Sequence, residues 1–572
     1  MLASGRQAQV HRAGETEIPV VGDDHIGLAI ASDAGGSGTC RREAVPAACG
    51  YTIFWGQFLQ RCHVSEVRRG GISILGTAAG RGYSRFAYLV RVAGVGLLAA
   101  FLLVLCAELP SASHEARAAV GRGIVDNRLE TNAEVDLAQV PTLAREMGTD
   151  RLRARWTRVM VRWVKLQPVA PGVASPDDEN RDGYADSYVR ELDTIIGALA
   201  ANRVNVILTL SDIPEWASNA TLWRHPPSGC PPGYSPTYAM DVDDPAVLAQ
   251  FEGLGAFLAG RYKGSADYFE CWNEPNTGGS LYPQSRPGAR FFGARTYAKM
   301  LRAFHDGVKR AASGAVVIAG GTAPRGADDD FSTSPRTFAT YLHDHVAARY
   351  FDAYSHHPYQ QGDRSNAPPQ VPPANARKTV SLGNLDVLLK LFPKKDFYLT
   401  EFGYNTEKPA LFGMTVSEAK QARYLRDAYS LAARRYPQVK VILWFMVQDL
   451  GPAPDRCAAS MGLSTVVGVR KPAWFAFAGG NRLSLNAPPA TRRSARFRVF
   501  GVLASRAFGA LAGKQVMLQS RRPSQARWQT VSAGLTRSDG SYAFRITQTS
   551  TRLYRVVWDG VCESARARVR TR

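Results

Sequence analysis

Acidic residues are scarce in this chain. It has 49 Asp and Glu against 70 Lys and Arg, a formal charge of +21 over 572 residues. The imbalance is uneven: from Thr491 to the end there are 17 basic residues and 3 acidic ones. Arg is abundant throughout, so part of the surplus is compositional. The C-terminal segment shows no recognition-helix or RNA-recognition pattern, which argues against a nucleic-acid partner. The expected partner of that segment is an anionic cell-wall polymer. Cysteine is sparse as well. Cys40, Cys49, Cys62, Cys106, Cys230, Cys271, Cys457 and Cys562 form no CxxC pair and no Cys/His cluster with zinc spacing. That excludes a cysteine-bound metal site, and no metal or cofactor is expected. No GxGxxG follows the first predicted strand, so a doubly wound nucleotide-binding sheet has no support.

One apolar run stands out. Val92–Ala107 is uncharged over sixteen residues; Arg81, Arg85 and Arg91 precede it, and Pro110-Ser111-Ala112-Ser113 follows. Basic flank, apolar centre and small residues make an export signal over 81–113, cleaved near 112–118. The run is shorter than the ~20 residues of a membrane-spanning helix; an uncleaved anchor is the other reading. Export signals start near a chain's beginning, yet this one starts near residue 80. Residues 1–80 show no sustained period of 2 or 3.6. They read either as an extension upstream of the true start, near 64–83, or as an unstructured cytoplasmic tail on an anchored protein. The expected location is secreted or extracytoplasmic, an oxidising compartment.

Hydrophobic residues make up 45% of the chain, enough for sizeable cores. From about residue 120 short apolar segments alternate with helical stretches. The strands are read at 123–128, 155–163, 204–210, 267–272, 315–320, 351–356, 396–400 and 439–445. The helices are read at 136–147, 186–201, 245–262, 295–312, 335–348, 382–391, 416–435 and 471–477. Eight such units predict an α/β fold, a (β/α)₈ TIM barrel over 120–480. The Pro- and Gly-rich stretches 211–243 and 359–380 both follow strands, so both belong to the barrel's C-terminal face. Residues 481–494, with Pro488 and Pro489, read as a linker. Short strands at 497–503, 515–520, 528–532, 542–547 and 554–558 predict a small all-β immunoglobulin-like sandwich over 495–572, with Asp539-Gly540 as a hairpin turn. Cys230 and Cys457 fall in loops after the third and eighth strands, on one face of the barrel, and are expected to pair. Cys271 lies in a strand and reads as a buried thiol.

The fourth strand runs into Trp272-Asn273-Glu274-Pro275, the seventh into Thr400-Glu401-Phe402-Gly403. Strand ends ring one mouth of a barrel, so two glutamates 127 positions apart can face the same bond. Framed in this way, the chain resembles clan A of the glycoside hydrolases, the retaining TIM-barrel glycosidases. Families five and thirty-nine are nearest, although a strand-2 Pro common in family five is missing. The resemblance covers roughly 123–479. It implies Glu274 as acid/base, Glu401 as nucleophile, and Asn273 as the partner of the sugar 2-OH. It further implies that His357 and Tyr359, on one face of strand 6, line the site, and that Trp444 is an aromatic platform. Arg158 would pair with the nucleophile, but Arg162 shares its parity and stays an alternative. Trp216 reads as a second platform. His356 points the opposite way to His357, so a zinc pair is disfavoured. The expected activity is retaining hydrolysis of O-glycosidic bonds in an extracellular polysaccharide or oligosaccharide. The rival is a non-catalytic carbohydrate-binding protein on a degenerate barrel.

Overall fold

The computed structural model describes residues 120–130, 135–222, 239–407, 415–451 and 459–572. The N-terminal extension, the apolar run at 81–113, Cys230 and Cys457 lie outside the described residues. Among the described residues no helix is long and apolar enough to cross a membrane. Cys271, buried, and Cys562 are free thiols.

Eight parallel strands close into a barrel in chain order. They are β1 (Gly121–Val125), β2 (Trp156–Arg162), β3 (Asn205–Ser211), β4 (Tyr268–Glu270), β5 (Val316–Thr322), β6 (Ala353–His356), β7 (Asp396–Phe402) and β8 (Val439–Phe445), which returns to β1. The helices between and after them are α1 (Val140–Arg145), α2 (Asp186–Ala201), α3 (Pro245–Arg261), α4 (Phe292–Ala311), α5 (Pro335–His345), α6 (Asp386–Leu389), α7 (Glu418–Arg435) and α8 (Pro472–Ala478). The helix starts follow local chemistry. The Asp244 carboxylate accepts from Ala246 N at 2.8 Å, with Pro245 as the first helical residue. Ser334 and Ser417 cap α5 and α7 in the same manner. The helix read at 382–391 is broken, because Ser381 and Asn384 form a reciprocal capping box around the single turn Leu382–Asn384.

Period 2 sorts the strand side chains. Val125, Ile207, Ile318, Ala353, Tyr398, Val441 and Leu443 face the barrel interior. At its N-terminal end Trp156, Tyr268 and Tyr398 form a ring plug, with centroids 4.7–5.9 Å apart. Three strands break the period, β8 with an extra residue between Val439 and Val441 near its start. β5 carries an extra residue between Ala319 and Thr322, and β7 one between Leu399 and Phe402. A bulge of this kind bends the strand and re-aims the side chains that follow.

The C-terminal region is two packed sheets, antiparallel except where β10 runs parallel to β18. One orders β10 (Ala490–Thr491), β18 (Ala567–Thr571), β16 (Arg552–Trp558), β13 (Gln515–Arg521) and β14 (Gln529–Leu535), with β17 (Cys562–Glu563) on β16. The other orders β12 (Gly509–Ala510), β11 (Phe497–Ser505) and β15 (Ser541–Ile546), with β9 (Asn481–Leu483) on β11. Two readings need correction. Residues 481–494 are no free linker, because β9 and β10 lie within them and pair with β11 and β18. Asp539-Gly540 does turn the chain, with Gly540 N bonded to Arg537 O at 2.9 Å, but it links strands of different sheets rather than a hairpin. This domain packs on the flank of the barrel. Phe475 of α8 meets Trp558 at 5.0 Å and Phe508 at 5.6 Å between ring centroids, and Arg426 of α7 donates to Val561 O at 2.7 Å.

Close backbone approach between α3 and α4 rests on glycine. A Cβ on Gly307 would stand 1.9 Å from Glu252 O, whereas one on Gly197 in α2 would meet nothing within 4 Å. The two Gly→Ala changes therefore take opposite signs. Gly307→Ala lowers unfolding free energy by about 1–3 kcal/mol through overpacking. Gly197→Ala raises it by about 0.5–1 kcal/mol through helix propensity. Denaturant titration of both variants measures the pair, and equal signs would contradict the packing described.

Candidate active site

The C-terminal ends of β2, β4, β6 and β7 converge on one group of polar side chains. Arg158, 2% exposed, points inward from β2. Its Nη1 donates to Glu401 Oε1 at 2.5 Å and to Asn273 Oδ1 at 3.1 Å; its Nη2 donates to Glu130 Oε1 at 3.3 Å. Arg162 goes elsewhere, to Asp212 Oδ2 at 2.5 Å. The choice between the two arginines is thereby settled by position. Tyr359 Oη donates to Glu401 Oε2 at 2.9 Å. His357 Nδ1 lies 2.9 Å from Glu274 Oε1 and 3.7 Å from Glu401 Oε2. One oxygen of Glu274, one of Glu401 and a nitrogen of His357 all lie within 4.8 Å of one another.

The aim of both glutamates depends on irregular backbone. Glu401 has the parity of outward-facing Leu399, and the β7 bulge turns it inward. Trp272 and Glu274 have positive φ, 96° and 44°, a conformation that costs a non-Gly residue energy. Surrounding bonds hold it: Asn273 N to Leu210 O, Glu274 N to Gly321 O, and Trp272 Nε1 to Ser280 O, each at 2.9–3.0 Å. Gly321 itself has φ 61°, and a Cβ there would lie 2.9 Å from Trp272 O. Asn276 locks the next turn, giving two bonds to backbone oxygens and taking one from Ala323 N.

Two buried carboxylates beneath the site had no assigned role in the sequence. Glu270 points inward from β4 and accepts from Thr209 Oγ1 at 2.6 Å, from Thr400 Oγ1 at 2.9 Å and from Ser355 Oγ. Inward parity, four residues before Glu274, was its only sequence signal. Glu130 lies in the loop after β1 and had none. The Glu270 contact fixes a tautomer by donor counting. Thr400 gives its one proton to Glu270, so it accepts from His357 Nε2 at 3.1 Å. His357 Nδ1 and Glu274 are left to share the remaining proton.

Charges are separated within this cluster. Burial raises the Glu401 carboxyl, but protonated His357, the Arg158 guanidinium and the bonds from Arg158 and Tyr359 outweigh it and hold it below its ordinary 4.5. Burial lowers His357, yet the charge of Glu401 and the bond and charge of Glu274 raise it above 6.5. Tyr359 is pushed far up by burial and by Glu401, so it stays a donor. His356 faces the opposite way, bonded to Thr322 and Val380 O, and burial lowers it to about 3. It is a packed neutral side chain, as its parity suggests.

Two expected platforms are placed differently. Trp444 is fully buried on the outer side of β8, its Nε1 donating to Met461 O at 2.9 Å and its ring against Phe402. The inward aromatic of that strand is Phe445, which shares the parity of Val441 and Leu443 and is half-buried at the mouth. Trp216 donates to Gln167 O at 2.9 Å and sets its ring against Trp163 at 5.4 Å. That packing role fits its half-buried position. Among the described residues Glu274, His357 and Glu401 also form the one group with ligand atoms close enough for a metal ion. Arg158 on Glu401 places a fixed positive charge against such an ion.

No family model matches the chain, and no curated protein matches it. Solved structures similar to it include a family 39 glycoside hydrolase from Bacteroides cellulosilyticus WH2, 17% identical over 77% of this chain and 81% of that one, with a TM-score of 0.42. A GH30 endoxylanase from Clostridium papyrosolvens C71 is 10% identical over 76% and 95%, with a TM-score of 0.37. Bacteroides uniformis β-glucuronidase 2 covalently bound to cyclophellitol-6-carboxylate aziridine is 10% identical over 80% of this chain, with a TM-score of 0.40; the matched region spans 46% of that chain.

The titration of His357 tests the charge arrangement. Below its folded pKa the imidazolium is paired with ionised Glu401, and that pairing is lost as pH rises through it. It is lost at the acid end as pH falls through the depressed pKa of Glu401. NMR titration should place wild-type His357 above 6.5 and move it down in Glu401→Gln, where burial meets less opposition. A value at or below 6.5 that ignores the substitution contradicts the arrangement.

Proposed function

We propose that this chain is a retaining glycoside hydrolase that cleaves O-glycosidic bonds of an extracellular polysaccharide or oligosaccharide by double displacement. The observation that carries the reading is the spacing of Glu274 and Glu401, with oxygens within 4.8 Å. Retaining enzymes hold their carboxyls ~5–5.5 Å apart; inverting ones leave ~6.5–9.5 Å for a water. The environments divide the labour. Glu401, held ionised by Arg158, Tyr359 and His357, attacks the anomeric carbon and forms the glycosyl ester. The bond to the leaving oxygen breaks, and that oxygen takes the proton shared by Glu274 and His357. A water then attacks the anomeric carbon, breaks its bond to the Glu401 oxygen and gives its proton to Glu274, which releases the sugar with its original configuration and frees the Glu401 carboxylate. Arg158 donates to Asn273 Oδ1, so the Asn273 amide NH₂ is the donor for a sugar hydroxyl. Phe445 is the ring at the mouth for a sugar face to rest on. The Arg-flanked apolar run supports placing this reaction outside the cytoplasm.

Substitution separates the two roles and tests the rival of a non-catalytic barrel. Glu274→Gln should lower turnover of substrates with poor leaving groups about 10²–10⁴-fold. It should spare the first step for dinitrophenyl glycosides, leaving an ester on Glu401 that appears as a burst. Azide should restore its turnover on a β-glycoside with β-configured product. In Glu401→Ala azide should attack from the vacated face and give the α product. Exchanged configurations mean that the roles are exchanged, and no turnover by the wild type on a broad aryl-glycoside panel supports the binding protein. Chelators should leave the rate unchanged; loss on chelation with recovery on adding zinc would replace this mechanism with a metal one.

A further inference from the structure

The C-terminal domain carries a second, separate site. A cavity of about 470 Å³ opens where β11 and β14 begin, β13 and β15 end, and the turn into β16 lies. Arg496, Arg545 and Arg552 line it together with Val531, Gln548 and Tyr554, and no carboxylate does. Arg552 is steadied by a 3.3 Å bond from Nη1 to Ser520 Oγ. Among the described residues none of the three guanidinium groups has an acidic partner. In the turn between Thr549 and Arg552 the buried Ser550 hydroxyl also has no hydrogen-bond partner.

The domain's few acids are all at its other end. Asp539 precedes β15, and Asp559 and Glu563 follow β16, whereas the cavity lies at the far end of both strands. The acid-bearing end is the one that meets the barrel, through Trp558 and Val561. Charge of one sign is thus concentrated on the end pointing away from it. In register, Arg498 stands directly opposite Arg545. Like charges across a strand pair destabilise a sheet, and an anion bound there would relieve that repulsion.

We propose that this cavity is an anion-binding site for a polyanionic glycan, taking one carboxylate or phosphate group of the polymer in the guanidinium forks of Arg545 and Arg552. Arginine matches both oxyanions with paired hydrogen bonds. A single-stranded nucleic acid needs exposed rings on which bases stack. The cavity's one aromatic, Tyr554, is 1% exposed, and the nearby Trp528 ring is already covered by Arg521, Arg555 and Arg566 at 4.6–5.9 Å. The site stands apart from hydrolysis at the barrel mouth and does not depend on it.

Binding of the full chain to polygalacturonate, poly(glycerol phosphate), amylose and duplex DNA tests this. One or both anionic glycans should bind at low salt and amylose should not, with attraction weakening as the Debye length falls from ~10 Å at 0.1 M to ~3 Å at 1 M salt. The arm that binds identifies carboxylate or phosphate. Arg545→Gln with Arg552→Gln should raise Kd about tenfold or more, by loss of charge-assisted bonds. Arg506→Gln with Arg537→Gln removes the same charge at the barrel end and should change Kd by less than about threefold, as expected of diffuse surface charge. Equal losses from the two pairs, failure of both anionic glycans to bind, or tighter binding of DNA that the first pair abolishes would each overturn the proposal. Turnover of a neutral aryl glycoside should be the same in all three proteins; a wild type that hydrolyses none defeats the barrel reading alone.

Discussion

The buried contact between Arg158 and Glu401 is the constraint around which the barrel mouth is arranged. Removing both charges from water costs several kcal/mol each, and their attraction offsets this only when the remaining donors and acceptors are satisfied. Nearly all are. Glu130 and Asn273 take further Arg158 protons, while Tyr359 serves the second Glu401 oxygen. The pair and its partners come from β2, β7 and the loops after β1, β4 and β6, so this one ion pair ties five segments together. A buried ion pair of this kind is weak evidence for stability and better evidence for a fixed geometry. It keeps Glu401 ionised and aimed, whatever its net worth to folding.

A regular barrel could not present this group. Strict alternation would turn Glu401 toward the helices, on the side of Leu399 and Phe402. The extra residue in β7 lets Thr400 and Glu401 both face inward. In β5 the Gly320-Gly321 bulge makes room for the strained turn at Trp272–Glu274. Local strain of ~1–3 kcal/mol per residue persists only where neighbours over-determine it. Here the neighbours are the backbone bonds to Leu210 and Gly321 and the Asn276 clamp. The departures from ideal strand geometry and the reactive side chains occupy the same few positions.

That coincidence explains what was legible in the sequence. Short apolar runs between helical stretches located all eight barrel strands within a few residues, since each strand buries both an inner and an outer face. Parity set His357 and Tyr359 on one face, where both reach the glutamates, but it could not separate Arg158, named by resemblance, from Arg162, which pairs with Asp212. The two glutamates were legible only through the motifs around them; parity alone misdirects Glu401. Trp444 was placed by resemblance against its own parity, and Phe445, one residue on, is the inward ring. Glu130 could not be found, as a loop residue has no periodicity to betray its burial. In the C-terminal domain the long alternating strands were legible. The two- and three-residue edge strands β9, β10, β12 and β17 carry too few positions to show a period, and β18 hides its alternation among arginines.

The way the two regions meet bears on how the whole chain works. The β-domain is fixed to the barrel by apolar and aromatic contacts on α7 and α8, with Phe475 enclosed by Trp558 and Phe508. Among the described residues none of these contacts uses the loops that follow β4, β6 and β7. The same attachment faces the domain's acids toward the barrel, with Arg506 and Arg537 beside them, and the arginines of the cavity away. The packed joint holds the domain on the flanking helices rather than on Glu401 and His357. The proton balance of Glu401 and His357 is set by burial, Arg158, Tyr359, Glu274 and one another. The strongly basic β-domain and the ionised Glu401 thus occupy different faces of the fold, one on the flanking helices and one at the strand ends.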